Sequence, residues 1–255
     1  MIASEQIAGV RIDSVDLRSA VELIESAVDD RTALQIATVN LDFLVRAQRS
    51  AELRRVLAST ELNVADGMPL VWLSRLAGRR LPGRTAGSDL VPLAMGRLAA
   101  RGARVFLLGG ERAVAIEAGR RLAEAYPGLV FAGHCEPPRV AIDRMPNRSI
   151  VRLIQQARPD VLLVAFGNPK QELWINRYRE SLGVSVTIGV GCTLDLIAGR
   201  SVRAPAWMQR IGLEWLFRLA QEPRRLFRRY VTDSLWLARF AIGAAGQRLA
   251  ARRAA

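Results

Sequence analysis

An apolar run of strand length, Val161 to Phe166, stops at Gly167-Asn168-Pro169, and Lys170, Gln171 and Glu172 follow at once. This order predicts a buried strand, a tight turn, and polar groups delivered at the strand's carboxyl end. The same grammar recurs along the chain. Residues 34–40 end in Thr38 and Asn40, 61–67 in Asp66 and Gly67, and 103–110 in Gly109-Gly110; 184–192 end in Gly189 and Gly191, with Asp195 soon after. A stretch of helical character follows each. Continuous apolar strands alternating with helices leave few architectures open. The expected one is an α/β fold with a Rossmann-like, mostly parallel sheet flanked by helices on both faces. In such sheets ligands bind beyond the carboxyl ends of the strands, which makes the strand-end residues the candidate site.

Other elements are placed by pattern: a strand or hairpin arm over 4–12, a helix capped by Asp16 and running to Val28, a helix over 41–57, a basic loop over 78–87 that holds Arg84, helices over 89–101, 113–125 and 150–158, and an irregular connection over 130–147. The chain is expected to divide into a Rossmann-like domain over 1–199 and a basic helical appendage over 200–255. The appendage carries twelve arginines against Glu214, Glu222 and Asp233, and so most of the net charge of +13. Trp207, Ile211, Trp215 and Leu219 recur every four residues and are expected to form one apolar stripe. Pro223 restarts the pattern, with Leu226, Phe227, Tyr230, Val231 and Leu235 as an apolar face beside Arg224, Arg225, Arg228 and Arg229. Two readings stand: helices packed on the core with solvated arginines, or a basic amphipathic element that lies on an anionic membrane surface. No apolar run is long enough to span a bilayer, and no secretory leader is evident. Cys135 and Cys192 lack metal or redox spacing, and a cytoplasmic home fits.

The residue inventory limits the chemistry. His134 is the single histidine, which argues against a histidine triad or a multi-histidine metal site. No DxD, GxSxG or GxxxxGK[ST] sequence occurs, so any phosphate leaving group would depend on arginines and backbone N–H groups. Asp66 is a candidate general base, or the cap of the helix after it. Thr38 and Asn40 could bond substrate hydroxyls, or serve the strand end. Gly109 and Gly110 could let a phosphate approach a helix N-terminus, or form a plain turn; the dinucleotide fingerprint is broken at Arg112-Ala113. Lys170, the one lysine, and Gln171 are expected to face a ligand, and Glu172 to complement the helix dipole. Asp195 could hold ribose hydroxyls or be a first-turn acid. Arg84 and the appendage arginines could neutralise a diphosphate, or stand in solvent.

Taken together, ATVNLDFLVRAQ (37–48), NVADGMPLVW (63–72), GRTAGSDL (83–90), VFLLGG (105–110), PDVLLVAFGNPKQELWI (159–175), GVGCTLDLIAG (189–199) and the run 203–230 resemble, in order, the WecG/TagA/CpsF family of bacterial glycosyltransferases. The resemblance implies inverting transfer from a UDP-sugar to a polyprenyl-diphosphate-linked saccharide. The enzyme would be attached peripherally to the inner face of the cytoplasmic membrane and would feed teichoic acid, common antigen or exopolysaccharide. It makes Asp66 the base, lines the active site with Thr38 and Asn40, and sets Gln171 near the donor sugar and Asp195 near the nucleoside. It closes Arg218, Arg225 and Arg228 over the diphosphate, with Arg224 and Arg229 as rivals for those positions. No metal or other cofactor and no nucleic-acid partner are implied; homo-oligomers are. Family breadth and arginine-rich composition lean towards xanthan-type glucosyl transfer. The chain departs from the family pattern at Gly191-Cys192-Thr193-Leu194. The competing readings are another nucleotide-dependent enzyme such as a dehydrogenase, and a non-catalytic module that binds anionic surfaces.

Overall fold

The computed structural model describes residues 2–78 and 80–254, with side chains described as far as Gly243. Arg79 of the basic loop and the side chains of Arg248, Arg252 and Arg253 lie outside the described residues. The chain opens with an antiparallel hairpin, β1 (Ser4–Ile7) and β2 (Val10–Asp13), turned at Ala8 and Gly9, both with positive φ. Helix α1 (Leu17–Asp29) follows; Asp16 caps it, accepting the Ser19 N–H at 2.8 Å. Then come β3 (Leu34–Val39), α2 (Leu41–Ala47), α3 (Ala51–Ser59), β4 (Leu62–Ala65), α4 (Met68–Leu76) and α5 (Gly87–Ala99). The second half adds β5 (Arg104–Gly109), α6 (Arg112–Ala125), β6 (Val130–Cys135), α7 (Asn147–Ala157), β7 (Val161–Ala165), α8 (Lys170–Leu182), β8 (Val186–Gly189) and α9 (Thr193–Ile197). The appendage is α10 (Ala206–Arg210), α11 (Glu214–Gln221) and α12 (Pro223–Ala254).

Six strands form one parallel sheet in the order β4-β3-β8-β7-β5-β6. This is the expected Rossmann-like α/β fold with a helical C-terminal addition. Both faces are covered, and the period of two assigns the side chains. On β5 and β7, Val105, Leu107, Val161 and Leu163 join the core under α1, α5 and α6. Their neighbours Phe106, Leu108, Leu162 and Val164 join the opposite core with Ile150, Ile154, Trp174 and Ile175. Burial on both faces is why these strands read as unbroken apolar runs.

Four expectations change. Residues 41–57 are two helices, because Ser50 restarts the chain by accepting the Leu53 N–H at 3.1 Å. Residues 130–135 are an edge strand inside the stretch expected to be irregular. Strand β6 pairs only with β5, is irregular in register near Gly133, and is half-exposed over most of its length, so it lacks an apolar signature. The stripe from Trp207 to Leu219 does not lie on one helix. Gly212, at φ +77°, breaks it, and a Cβ there would meet the Trp72 ring at 2.5 Å. In α12 Trp236, Leu237 and Phe240 pack against the core of the hairpin, α2 and α4, and Leu226 is buried at the cavity. Phe227, Val231 and Leu235, expected to share a face with Leu226, are exposed.

Gly109 closes β5 with φ +93°, and a Cβ would sit 2.8 Å from the Ala165 carbonyl oxygen. Gly109→Ala is therefore expected to cost about 1–3 kcal/mol in urea denaturation. Gly9→Ala, with open space around it, should cost less.

Candidate active site

A cavity of about 900 Å³ opens beyond the carboxyl ends of the strands, roofed by α11 and α12. Asp66 is set in it by the ladder: its N–H donates to the Val39 carbonyl at 2.7 Å, and Gly67, at φ +124°, turns the chain into α4. Gly67, not Asp66, occupies the cap position, and the helix end receives no side-chain bond. Among the described residues no donor is bonded to the Asp66 carboxylate. Burial pushes its pKa up to about 6, opposed by Arg218 and Arg84 and reinforced by Glu214 and Asp89.

Arg218 apart, those neighbouring charges are paired with one another. Arg84 donates to Glu214 at 2.5 Å, to Asp89 at 3.1 Å and to Gln209 at 3.1 Å. Arg203 bonds both Asp89 oxygens, one of them at 2.7 Å. Arg84 thus bridges the 78–87 loop to the appendage rather than standing in solvent.

The other expected residues line the cavity in different ways. Buried Thr38 donates its hydroxyl to the Gly189 carbonyl at 2.9 Å, tying β3 to β8. Asn40 leaves the α2 terminus uncapped and accepts a long 3.5 Å bond from Arg229. Lys170 donates to the Val140 carbonyl at 2.6 Å, with its ammonium 5.1 Å from the Phe166 ring centroid. Gln171 is buried, and its Oε1 accepts the N–H groups of Gly167 and Gly191 at 3.1 and 3.2 Å. Gly110 borders the cavity beside Gly109, but the first N–H of α6 already donates to Glu136 at 2.9 Å. Asp195 is half-buried in the first turn of α9; burial raises its pKa against the pull of Arg200 and Arg225. Glu172 stands in the first turn of α8, as a residue complementing the helix dipole would, and is wholly buried.

From the appendage, Arg218 enters the cavity against the Cys192 sulfur, and Arg225 lines it while paired with Glu222 at 2.8 Å. Arg228 is exposed and outside the lining; its neighbour Arg229 is inside. Arg229 lies 3.6 Å from both Asp42 and Asp233. Burial, then repulsion from Asp42, pushes Asp233 up to about 6 against Arg229 and Arg46. Sequence reading missed Asp42, Asp233, Trp72, Trp215 and Tyr230. The signal available was Asp233 itself, a lone acid four residues after Arg229 in a basic helix. Among the described residues no cluster of three or more His, Cys, Asp or Glu side chains is arranged to hold a metal, and no helix is long and apolar enough to cross a membrane.

Comparison with known proteins gives one consistent result. A model of the "Glycosyl transferase WecG/TagA/CpsF family" matches residues 5–254. An N-acetylglucosaminyldiphosphoundecaprenol N-acetyl-beta-D-mannosaminyltransferase of Bacillus subtilis (strain 168) is 31% identical over 224 residues, 87% of this chain and 85% of the relative. A protein of the same description from Bacillus spizizenii is 31% identical over 233 residues, 88% of this chain and 89% of the relative.

The Asp66 shift has a thermodynamic sign. The unfolded chain releases this proton near 3.8 and the folded chain near 6, so the native state binds more protons between those values and loses stability as pH rises through them. Asp66→Asn is expected to match the parent melting temperature at pH 3 and to exceed it at pH 7, as followed by circular dichroism.

Proposed function

The chain belongs to the WecG/TagA/CpsF family of glycosyl transferases, and on that premise we propose that it moves a sugar from a UDP-sugar onto a polyprenyl-diphosphate-linked saccharide, with inversion, in cell-surface polysaccharide synthesis. The observation that carries this reading is the Asp66 carboxylate, bonded to no donor among the described residues, in a cavity that also holds Arg218, Arg225 and Arg229. A group with a pKa near 6 is ionised at neutral pH yet basic enough to take a proton in the transition state. The acceptor hydroxyl attacks the anomeric carbon from the face opposite the nucleotide. The new C–O bond forms as the bond to the diphosphate breaks, the hydroxyl proton passes to Asp66, and UDP departs with the bonding pair.

The charge that develops on the diphosphate falls to Arg218 and Arg225, with Arg229 in the place first expected of Arg228. No metal or other cofactor is needed for this step. Asp195 and the turn at Gly191 suit the nucleoside end. Gln171 has one amide hydrogen left for the donor sugar after its bond to Glu172. The relatives' stated activities make N-acetylmannosamine the donor sugar, and an N-acetylglucosaminyl-diphosphate lipid the acceptor, to test first, ahead of the glucosyl transfer that composition suggested.

Attachment to the inner face of an anionic membrane suits the exposed Trp207, Ile211, Phe227, Leu235 and Ile242 beside Arg224 and Arg228. The same face would be available to a second copy in an oligomer.

Asp66→Asn is expected to remain folded and to lose transfer by about 10²–10⁴-fold, measured with a synthetic lipid-diphosphate acceptor and a panel of UDP-sugars. Parental turnover in that variant would remove Asp66 from the role of base. Thermal shift with UDP, NAD and an oligonucleotide should show stabilisation by UDP alone. Stabilisation by NAD alone would favour a dehydrogenase-type site, and by the oligonucleotide alone a binding module.

A further inference from the structure

We propose that Glu172 is a positioning residue: as an uncharged acid it orients the Gln171 amide, and through that amide the two glycine turns that floor the cavity. The geometry runs in one direction. Glu172 Oε1 accepts from Gln171 Nε2 at 2.7 Å, which fixes which end of the amide is the donor. Gln171 Oε1 is thereby turned towards two backbone N–H groups, Gly167 in the β7–α8 turn and Gly191 in the β8–α9 turn. One side-chain oxygen thus joins two separate strand ends. Gly189 makes room for the pair: a Cβ there would lie 2.5 Å from Glu172 Oε1 and 2.6 Å from Gln171 Nε2.

The uncharged state follows from the surroundings. Glu172 is fully buried, and among the described residues its Oε2 has no hydrogen-bond partner; the Gln35 Oε1 atom on β3 is likewise buried without one. An ionised carboxylate would leave a buried charge faced only by neutral donors, the Gln171 amide and the Glu172 backbone N–H, whereas a proton on Oε2 removes that charge. The groups that meet Glu172 are uncharged on every side: Gln171 on its own helix, Gly189 on β8, and Gln35, whose Nε2 reaches the Glu172 backbone carbonyl at 3.5 Å. Helices α7 and α3 bond α8 further along, through Trp174 and Asn176. Burial accordingly pushes Glu172 up to about 8, with the Gln171 bond and the residue's own backbone N–H opposing it. That the two turns hold a donor nucleotide rests on the function proposed above.

The test uses the full chain with Glu172→Gln, which keeps a neutral acceptor, and Glu172→Leu, which removes it. Between pH 4.5 and about 8 the parent's folded state binds a proton that its unfolded state has lost, so the parent should lose melting temperature relative to Glu172→Gln as pH rises across that window. In Glu172→Leu, amide exchange at Gly167 and Gly191 should accelerate, and calorimetric affinity for UDP should fall, each by about tenfold; Glu172→Gln should restore both. Parallel pH profiles for parent and Glu172→Gln, or full amide protection in Glu172→Leu, would overturn the proposal. If Glu172→Leu fails to fold, the comparison of parent with Glu172→Gln still decides it. If the parent binds no UDP while the exchange and pH results hold, the nucleotide reading fails and the positioning role stands.

Discussion

A carboxylate becomes a better base near neutral pH when its surroundings strip water from it without pairing it to a cation. Asp66 meets that condition because the charges around it are spent on one another. Arg84, Asp89, Arg203 and Glu214 form a closed set of ion pairs at the cavity edge. Their effects on Asp66 have opposing signs, and desolvation remains the dominant influence. Arg218 stays as the strongest opposing charge, held against Cys192 without a hydrogen bond to Asp66. An arginine bonded directly to Asp66 would have made it a weaker base.

The same ion pairs join the appendage to the sheet. Arg84 reaches from the 78–87 loop to Glu214 and Gln209, and Gly212 fits against Trp72 at the start of the crossing. Further along, Leu226, Trp236, Leu237 and Phe240 bury apolar surface while Asp233 and Arg229 meet Asp42. The roof of the cavity is thus held by charge at one end and by apolar contact at the other. The basic helices are neither wholly solvated nor wholly packed. One face seats on the core, and the other leaves Phe227, Leu235 and Ile242 bare.

The sheet and the gathering of its strand ends were legible in the sequence because strands buried on both faces read as continuous apolar runs, each ending in polar or glycine residues. Strand β6 was not: at an edge, half-exposed and interrupted at Gly133, it has no such run. The break after Ala47 depends on one hydroxyl cap, and the break at Gly212 on contact with a ring 140 positions away, which periodicity cannot register. Residue types at the site were visible, but the direction of their bonds was not. Gln171 was marked as a ligand contact, yet most of its amide serves two backbone turns. Arg228 and Arg229 are adjacent in sequence, and only the rotation of α12 on its seat separates the exposed one from the one in the cavity.

Gly189 is boxed in by the head groups of Gln171 and Glu172, and a side chain at 189 would have to push one of them aside. The three positions are therefore bound to a common history. A methyl group at 189 would separate the two head groups from the places they now hold, so the glycine and its neighbours answer to one another.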